Sequence, residues 1–505
     1  MRKYIVTIVS VFALVASGCE SFLSKVPDDR TEITDAESVK ALLVSAYPEA
    51  QYFMMGETMS DNADDKGSAL AAQAAESAEE CYFWRNVSVE YQDSPGFYWA
   101  HCYSAISAAN HALEAIEAMG NTPDLQPYRG EALLCRAYAH FMLVNFWGEH
   151  FDPATSQTEL GVPYVTAPEK VDIAYYQRAT VKEVYDLIEK DLNEGLPLIR
   201  DDVYDVAKYH FNREAANAFA ARYYTYRGDN WERVKQYSDV VLGEGTNFKN
   251  YLRDYPGKYR ALSSNPTEFA KLYTNYGEAS NLMLTIGNSY WGVTAGFSRY
   301  GMSQRVQKWL IDSLDVGNTQ WMNNLIWGTY PHYMIYKFTV FFQYLYPGST
   351  LGYYTAVNPA FTAEEVMFNR MEAYVMDRQY DKIISDFHLY WSMRTNNYIP
   401  DPDFFNKIKE YYNNQLKGKW ERPDPWYRDQ LDEEQLLMLR YITDVRRKEF
   451  MHQGMRWFDI KRFHIPVTHA VYASNQTDVL TKDDPRRLVQ IPPSAVDYGV
   501  TPNPR

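Results

Sequence analysis

The sequence predicts a mostly α-helical protein built from antiparallel helix pairs, with a loop-rich, partly β insertion carried on that scaffold. Three observations predict it. Apolar residues recur with the period of an amphipathic helix over most of residues 34–243 and again over 361–505. Two distant stretches, 212–242 and 368–391, share one helix–turn–helix layout. Between them, residues 244–360 are crowded with Gly, Pro, Asn, Ser and Tyr, as in YPGKYR, GNSYWGVTAGFSRYG and LYPGSTLGYYTAVNP, which reads as loops and short strands.

Taken in order, a helix over 34–50 opens with Thr34 as its cap and carries Val39, Leu42, Leu43 and Ala46 at helical spacing. Residues 56–93 read as irregular. Long helices follow over 97–119 and 128–147, the second stopping at Gly148. Thr180 with Glu183 three residues later forms a capping-box pattern at the head of a helix over 180–196. In 212–242, Ala221 and Tyr224 lie on one helix, Gly228-Asp229 turns the chain, and Trp231, Val234 and Val241 lie on the next. In 368–391, Met371 and Tyr374 precede a turn near Arg378-Gln379, then come Tyr380, Ile383 and Phe387. Each copy resembles a degenerate tetratricopeptide unit, although the Gly-Asp turn occurs only in the first. Such pairs stack because neither can bury its apolar face alone.

The chain starts MRKYIVTIVSVFALVASGCESFL. Arg2 and Lys3 form a basic n-region, residues 5–16 an apolar run, and Ala16-Ser17-Gly18 a small-residue cleavage site, so residues 1–18 read as a signal peptide. The run is too short to span a bilayer. Ala16-Ser17-Gly18-Cys19 resembles a bacterial lipobox, with Ala16 where Leu is commoner. That resemblance makes Cys19 the lipidated first residue of the mature chain and residues 19–33 a tether. Several acyl chains, palmitate among them, would make such an anchor stable, since each buried methylene contributes about 0.8 kcal/mol.

Composition bounds the function. With 505 residues, 46% hydrophobic and 23% charged, the chain can bury a large core. A net charge of −15 argues against nucleic acid and against an anionic membrane surface as partners. Cys81, Cys102 and Cys135 show no disulfide-framework spacing; they read as buried thiols, with a single Cys81–Cys102 bridge as the alternative. HExxH, GxSxG and P-loop patterns are absent, so no catalytic residue is assigned. Ten scattered His, with His464 and His469 the nearest pair, give no metal site, and no cofactor is expected. The DNADDKG stretch, Asp61 to Gly67, fails the calcium-loop pattern at Ala63 and Lys66; Asp61, Asn62, Asp64 and Asp65 read as a solvated turn.

The C-terminal part carries a resemblance. YITDVRRKEFMHQGMRWFDIKRF (441–463) and LVQIPPSAVDYGVTPNPR (488–505) resemble the signature of the SusD/RagB outer-membrane lipoproteins of Bacteroidetes. The lipobox, FYWAHCYSAISAANHALEAIE, RAYAHFMLVNFWG and NRMEAYVMDRQYDKI occur in the family's order, so the likeness covers the chain. Read residue by residue, this signature is structural: Phe450, Trp457 and Ile460 face a core, and Arg447, Glu449, Arg456, Asp459 and Arg462 form an ion-pair lattice over it. The resemblance implies a SusD-like α/α superhelix. It divides the mature chain into an N-terminal helical region (34–243), a loop-rich insertion (244–360) as the candidate ligand-binding region, and a C-terminal region (361–505).

It also implies a function: a non-enzymatic lipoprotein on the cell outer membrane that captures oligosaccharides, or peptides as in the RagB branch, and delivers them to a SusC-like TonB-dependent transporter. A surface glycoside hydrolase is the alternative from another class, because two suitably spaced carboxylates are its only requirement. Glycan capture needs aromatic faces and a few hydrogen-bonding groups on a shallow surface. With 16% aromatic residues the sequence offers many. The candidates are Trp84, Asn86 and Tyr91 in the first loop, Tyr290 and Trp291 in the Gly-rich stretch, and Trp321, Asn323, Asn324, Trp327 and Tyr330 in WMNNLIWGTY.

Overall fold

A computed structural model describes residues 33–67, 76–170, 175–319, 321, 325–416 and 420–505. The leader, Cys19 and most of the tether lie outside the described residues. The principal helices are α1 (Ala36–Leu43), α2 (Pro95–Ala118), α3 (Gln126–Trp147), α4 (Val181–Gly195), α5 (Arg213–Arg227), α6 (Trp231–Leu242), α7 (Ala363–Met376), α8 (Tyr380–Ser392), α9 (Glu433–Glu449) and α10 (Arg456–Arg462). The strands are β1 (Asp64–Asp65), β2 (Asn281–Asn288), β3 (Tyr300–Gly301), β4 (Thr339–Tyr344), β5 (Gly352–Thr362), β6 (Val467–Ala470) and β7 (Thr477–Leu480).

Local chemistry starts these helices. Asp35, one residue beyond the expected Thr34, caps α1 by accepting from the N–H of Ser38. Ser94 caps α2 ahead of Pro95. The capping box at Thr180 and Glu183 is present in full, and Asp432 with Gln435 builds a second one at α9. Between α5 and α6 the chain turns at Gly228 in the left-handed region (φ 74°), where an added Cβ would stand 2.8 Å from the Tyr427 ring. The equivalent turn between α7 and α8 places Arg378 at φ 53°.

The pairs stack as the periodicity predicts. α3 packs between α2 and α4, α5 on α6, and α7 against α5, α6, α8 and α9. α3 is buried on nearly every side, so it forms the spine of the N-terminal half. Cys81, Cys102 and Cys135 are buried free thiols, which removes the Cys81–Cys102 bridge.

The C-terminal signature differs from expectation in where its charges lie. It forms two helices, because the chain turns between α9 and α10 with His452 and Gly454 at positive φ (73° and 71°). Gly454 also lies against Gly56, whose added Cβ would meet the Gly454 carbonyl oxygen at 2.5 Å. Its charges run through the core instead of covering it. Arg394 bridges Glu449 and Glu364 (2.9–3.0 Å), Arg253 meets Glu364 at 2.9 Å, and Arg462 joins Glu372 to Asp459 at 2.9 Å. The Arg253, Glu364, Arg394 and Glu449 side chains are wholly buried. The DNADDKG stretch is likewise structural, which corrects its reading as a solvated turn. Asp61 accepts from Arg456 (2.8 and 3.0 Å) and pairs with Arg447 (2.9 Å), while the buried Asn62 accepts from Arg447 (2.7 Å). Two arginines from the far end of the chain neutralise a carboxylate that the local sequence left unpaired.

Strands β2, β4 and β5 form an antiparallel sheet of order β2-β5-β4. β5 pairs with β2 along one edge and with β4 along the other, with Phe342 opposite Tyr354 and Phe341 opposite Thr355. β5 runs straight into α7, whose first N–H groups Thr362 caps, so the hairpin is rooted directly in the helix stack.

Candidate functional site

The β4–β5 hairpin carries aromatic residues on both faces, because alternation along a strand sends successive side chains to opposite sides. On one face Phe342 meets Tyr354 edge-on at 5.2 Å and Tyr344 at 5.1 Å. Tyr290, arriving just after β2, lies 4.6 Å from Tyr354 at 37°. Tyr290, Phe342, Tyr344 and Tyr354 are 37%, 38%, 59% and 36% exposed, so a folded chain leaves four adjoining rings open to water. A contiguous exposed aromatic patch of this kind is a candidate binding surface.

The loop before α2 holds this patch in place. The Asp93 carboxylate accepts from the Ser289 hydroxyl and from the N–H of Tyr290, each at 2.6 Å, and the Gln92 amide donates to the carbonyl of Tyr354. Burial pushes the Asp93 carboxyl up to about 6, against the lowering effect of these bonds. Tyr91, 44% exposed, precedes them in the same loop.

On the opposite face Phe341, Gln343, Tyr353 and Thr355 form one wall of a cleft of about 760 Å³. Val44, Tyr47 and Glu49, from the segment that follows α1, and His101 of α2 form the other. Phe97 of α2 lies 5.8 Å from Tyr353, which seats the hairpin against the scaffold. Glu49 and Gln343 give the cleft acceptors and donors beside ring faces.

Of the residues singled out by sequence, the structure brings Tyr290 into the cluster and Tyr91 into the loop beside it. Asn86 is exposed and accepts from Arg505 (2.8 Å). Tyr330 is 65% exposed at a separate cavity. The tryptophans are corrected. Trp84 lies flat on His469 (4.4 Å, 5°) and donates to the Met59 carbonyl, Trp291 donates to the His452 carbonyl, and Trp321 meets Tyr255 edge-on. These three are at most 4% exposed, so their rings fill the core and offer no face to a ligand. Trp327 is half-buried between Phe269 and Tyr336. Asn323 and Asn324 lie outside the described residues. Sequence reasoning missed Phe342, Tyr344 and Tyr354; the available signal was the pairing of TVFFQY with GYYT across a Pro-Gly-Ser turn.

No group of three or more His, Cys, Asp or Glu among the described residues is placed to hold a metal ion. No helix among them is long and apolar enough to cross a membrane.

Residues 21–225 match the SusD-like family described as "Starch-binding associating with outer membrane". Over those residues the chain is similar to that family. Its fold spans nearly the whole of several solved SusD-like structures. A SusD superfamily protein from Bacteroides thetaiotaomicron aligns with TM-score 0.66 and 16% identity over 94% of this chain and 100% of its own. A SusD-like carbohydrate binding protein from Bacteroides vulgatus aligns with TM-score 0.60 and 16% identity over 92% and 96%. A laminarin binding SusD-like protein aligns with TM-score 0.55 and 15% identity over 94% and 100%. At these identities the likeness is one of fold. No curated protein matches the chain.

Proposed function

We propose that this SusD-like protein captures oligosaccharides at the Tyr290–Phe342–Tyr344–Tyr354 cluster without cleaving them and passes them to a TonB-dependent outer-membrane transporter of the SusC type. The observation that carries the reading is the patch of four exposed rings on a hairpin fixed to a rigid helix stack. Sugar rings present C–H faces that pack on aromatic planes, and their hydroxyls need a few polar groups at the rim. Tyr hydroxyls within the patch and Gln343 and Glu49 in the cleft behind it supply these. The match to a family described as starch-binding supports a saccharide as ligand, and its association with the outer membrane supports anchoring through Cys19 on the cell surface.

The binding step is tested by titrating the mature protein with neutral oligosaccharides in a calorimeter, together with an assay for reducing ends. Saturable heats without new reducing ends are expected; steady product release would replace binding with hydrolysis. Co-purification with a large TonB-dependent barrel from native membranes tests the transporter step, and recovery of the protein alone would count against it.

A further inference from the structure

A second cavity, of about 430 Å³, opens where β1 pairs with β3. The loop that begins at Ser289 and Tyr290 ends here: the Lys66 N–H donates to the Arg299 carbonyl, and the Lys66 Nζ donates to the carbonyl of Gly296 at 3.1 Å. Asp64, Asp65, Lys66, Arg305, Tyr330 and Tyr472 line the space.

The carboxylates of this cavity are each held by an arginine, Arg299 reaching Asp65 from outside the lining. Asp64 accepts from both the Nε and a terminal nitrogen of Arg305 (2.8–2.9 Å) and from the Ser303 hydroxyl. Asp65 accepts from two nitrogens of Arg299 (2.6 and 2.8 Å) and from the N–H groups of Gly67 and Tyr472 (3.0 and 3.1 Å). Each carboxylate therefore has its own arginine, and its oxygens are occupied. Lys66 remains. It is 9% exposed, and among the described residues it has no carboxylate partner. An ammonium has three donors, and one carbonyl uses a single one of them. A buried cation left in this state is costly until an anion reaches it. Beside it, Tyr330 and Tyr472 are 65% and 52% exposed.

We infer that this cavity holds the anionic group of an acidic saccharide, a uronate carboxylate or a sulfate ester, with Lys66 as its counter-ion and Tyr330 and Tyr472 against the sugar ring. The inference rests on the carbohydrate reading given above and deepens it by naming a ligand class. Burial lowers the Lys66 ammonium to about 8, so it is charged at pH 7 and loses its proton as the pH rises beyond that value. The other groups around it are the Asp64–Arg305 and Asp65–Arg299 pairs, the two tyrosines, and His452, which burial holds down at about 3 and therefore neutral.

The test is calorimetric titration of the mature protein with three probes: a trisaccharide bearing one glucuronate, the same trisaccharide bearing a sulfate ester instead, and the uncharged parent. At pH 7 at least one charged probe should bind about tenfold or more tightly than the parent, and which one does so separates carboxylate from sulfate. Lys66→Met should abolish the preference, and Lys66→Arg should keep it. In the unaltered protein, raising the pH to 9.5 should also abolish it while the parent binds as before, a measurement that does not depend on the folding of any variant. Parent binding with no preference for either charged probe, or a preference that survives Lys66→Met, would overturn this inference and leave the carbohydrate reading standing. Failure of all three probes to bind would overturn both.

Discussion

Asp93 accepts a 2.6 Å hydrogen bond from the backbone N–H of Tyr290, across 197 residues of sequence. This bond ties the loop before α2 to the ring that opens the aromatic cluster. A charge-assisted hydrogen bond of this kind contributes about 1.5–3 kcal/mol, enough to hold a ring in one orientation.

Releasing this tie should therefore weaken ligand binding more than it weakens the fold. Asp93→Ala is expected to reduce oligosaccharide affinity several-fold in a calorimetric titration, while circular dichroism shows an unchanged helical protein. Asp93→Asn retains an acceptor and tolerates the left-handed backbone at this position (φ 69°), so it should bind nearly as the parent does. Equal affinity in all three proteins would remove Asp93 from any positioning role.

The same carboxyl has a pH signature. Its pKa is raised from 3.8 to about 6, so the folded state holds the proton more tightly than the unfolded state. Its contribution to stability is present in full below pH 4 and is lost as the pH rises through about 6. Thermal unfolding of Asp93→Asn should accordingly lack a fall in Tm that the parent shows between pH 4 and 6. Parallel Tm profiles for the two proteins would contradict the assignment.

Exposed and buried aromatics should separate cleanly. Removing Tyr290, Tyr354 or Phe342 one at a time is expected to weaken glycan binding by about 2- to 10-fold each with little change in Tm, since one aromatic contact is worth about 0.5–1.5 kcal/mol. Trp84→Ala and Trp291→Ala should instead cost about 3–5 kcal/mol of stability through the cavities they leave. Denaturant unfolding paired with affinity measurements on the same variants distinguishes the two classes. Trp84→Ala protein that stays as stable as the parent would place that ring outside the core.

The buried charge network predicts acid sensitivity. Burial pushes the Glu364 carboxyl up, but the Arg253 and Arg394 guanidiniums outweigh it and hold the group at about 2. Its stabilising contribution is present above pH 4.5 and is lost as the pH falls through about 2. Glu364→Gln leaves two buried arginines short of a partner and should cost about 3–5 kcal/mol at neutral pH. Its unfolding free energy should also depend less on pH between 4.5 and 2, as urea titrations at several pH values would show.

The proposed anchoring rests on Cys19, which lies outside the described residues. Cys19→Ser is expected to abolish labelling by radioactive palmitate and to shift the protein from the membrane to the soluble fraction. Label retained in that variant would require another acceptor.

Much of the scaffold was legible in the sequence because helix signals are local. The Thr180–Glu183 capping box, the Gly228 turn and the apolar period of α3 each lie within a few residues of what they specify. The site was less legible because its sidedness is set by distant pairing. Tyr290 and Trp291 are neighbours, yet one ring faces solvent and the other donates to the carbonyl of His452, and nothing within the stretch GNSYWG distinguishes them. Phe341 and Phe342 read as one apolar run until pairing with β5 sends them to opposite faces. Asp61 reads as a solvated turn until Arg447 and Arg456 arrive from the other end of the chain.

The most direct test of the central claim is the affinity of the Tyr290→Ala/Tyr354→Ala double variant for a neutral oligosaccharide that the parent binds, measured alongside its Tm. The account predicts a loss of at least about tenfold in affinity with the parent's Tm retained, because two open rings are removed from a binding face and none from the core. Undiminished affinity in a folded double variant would contradict it and move the ligand elsewhere on the molecule.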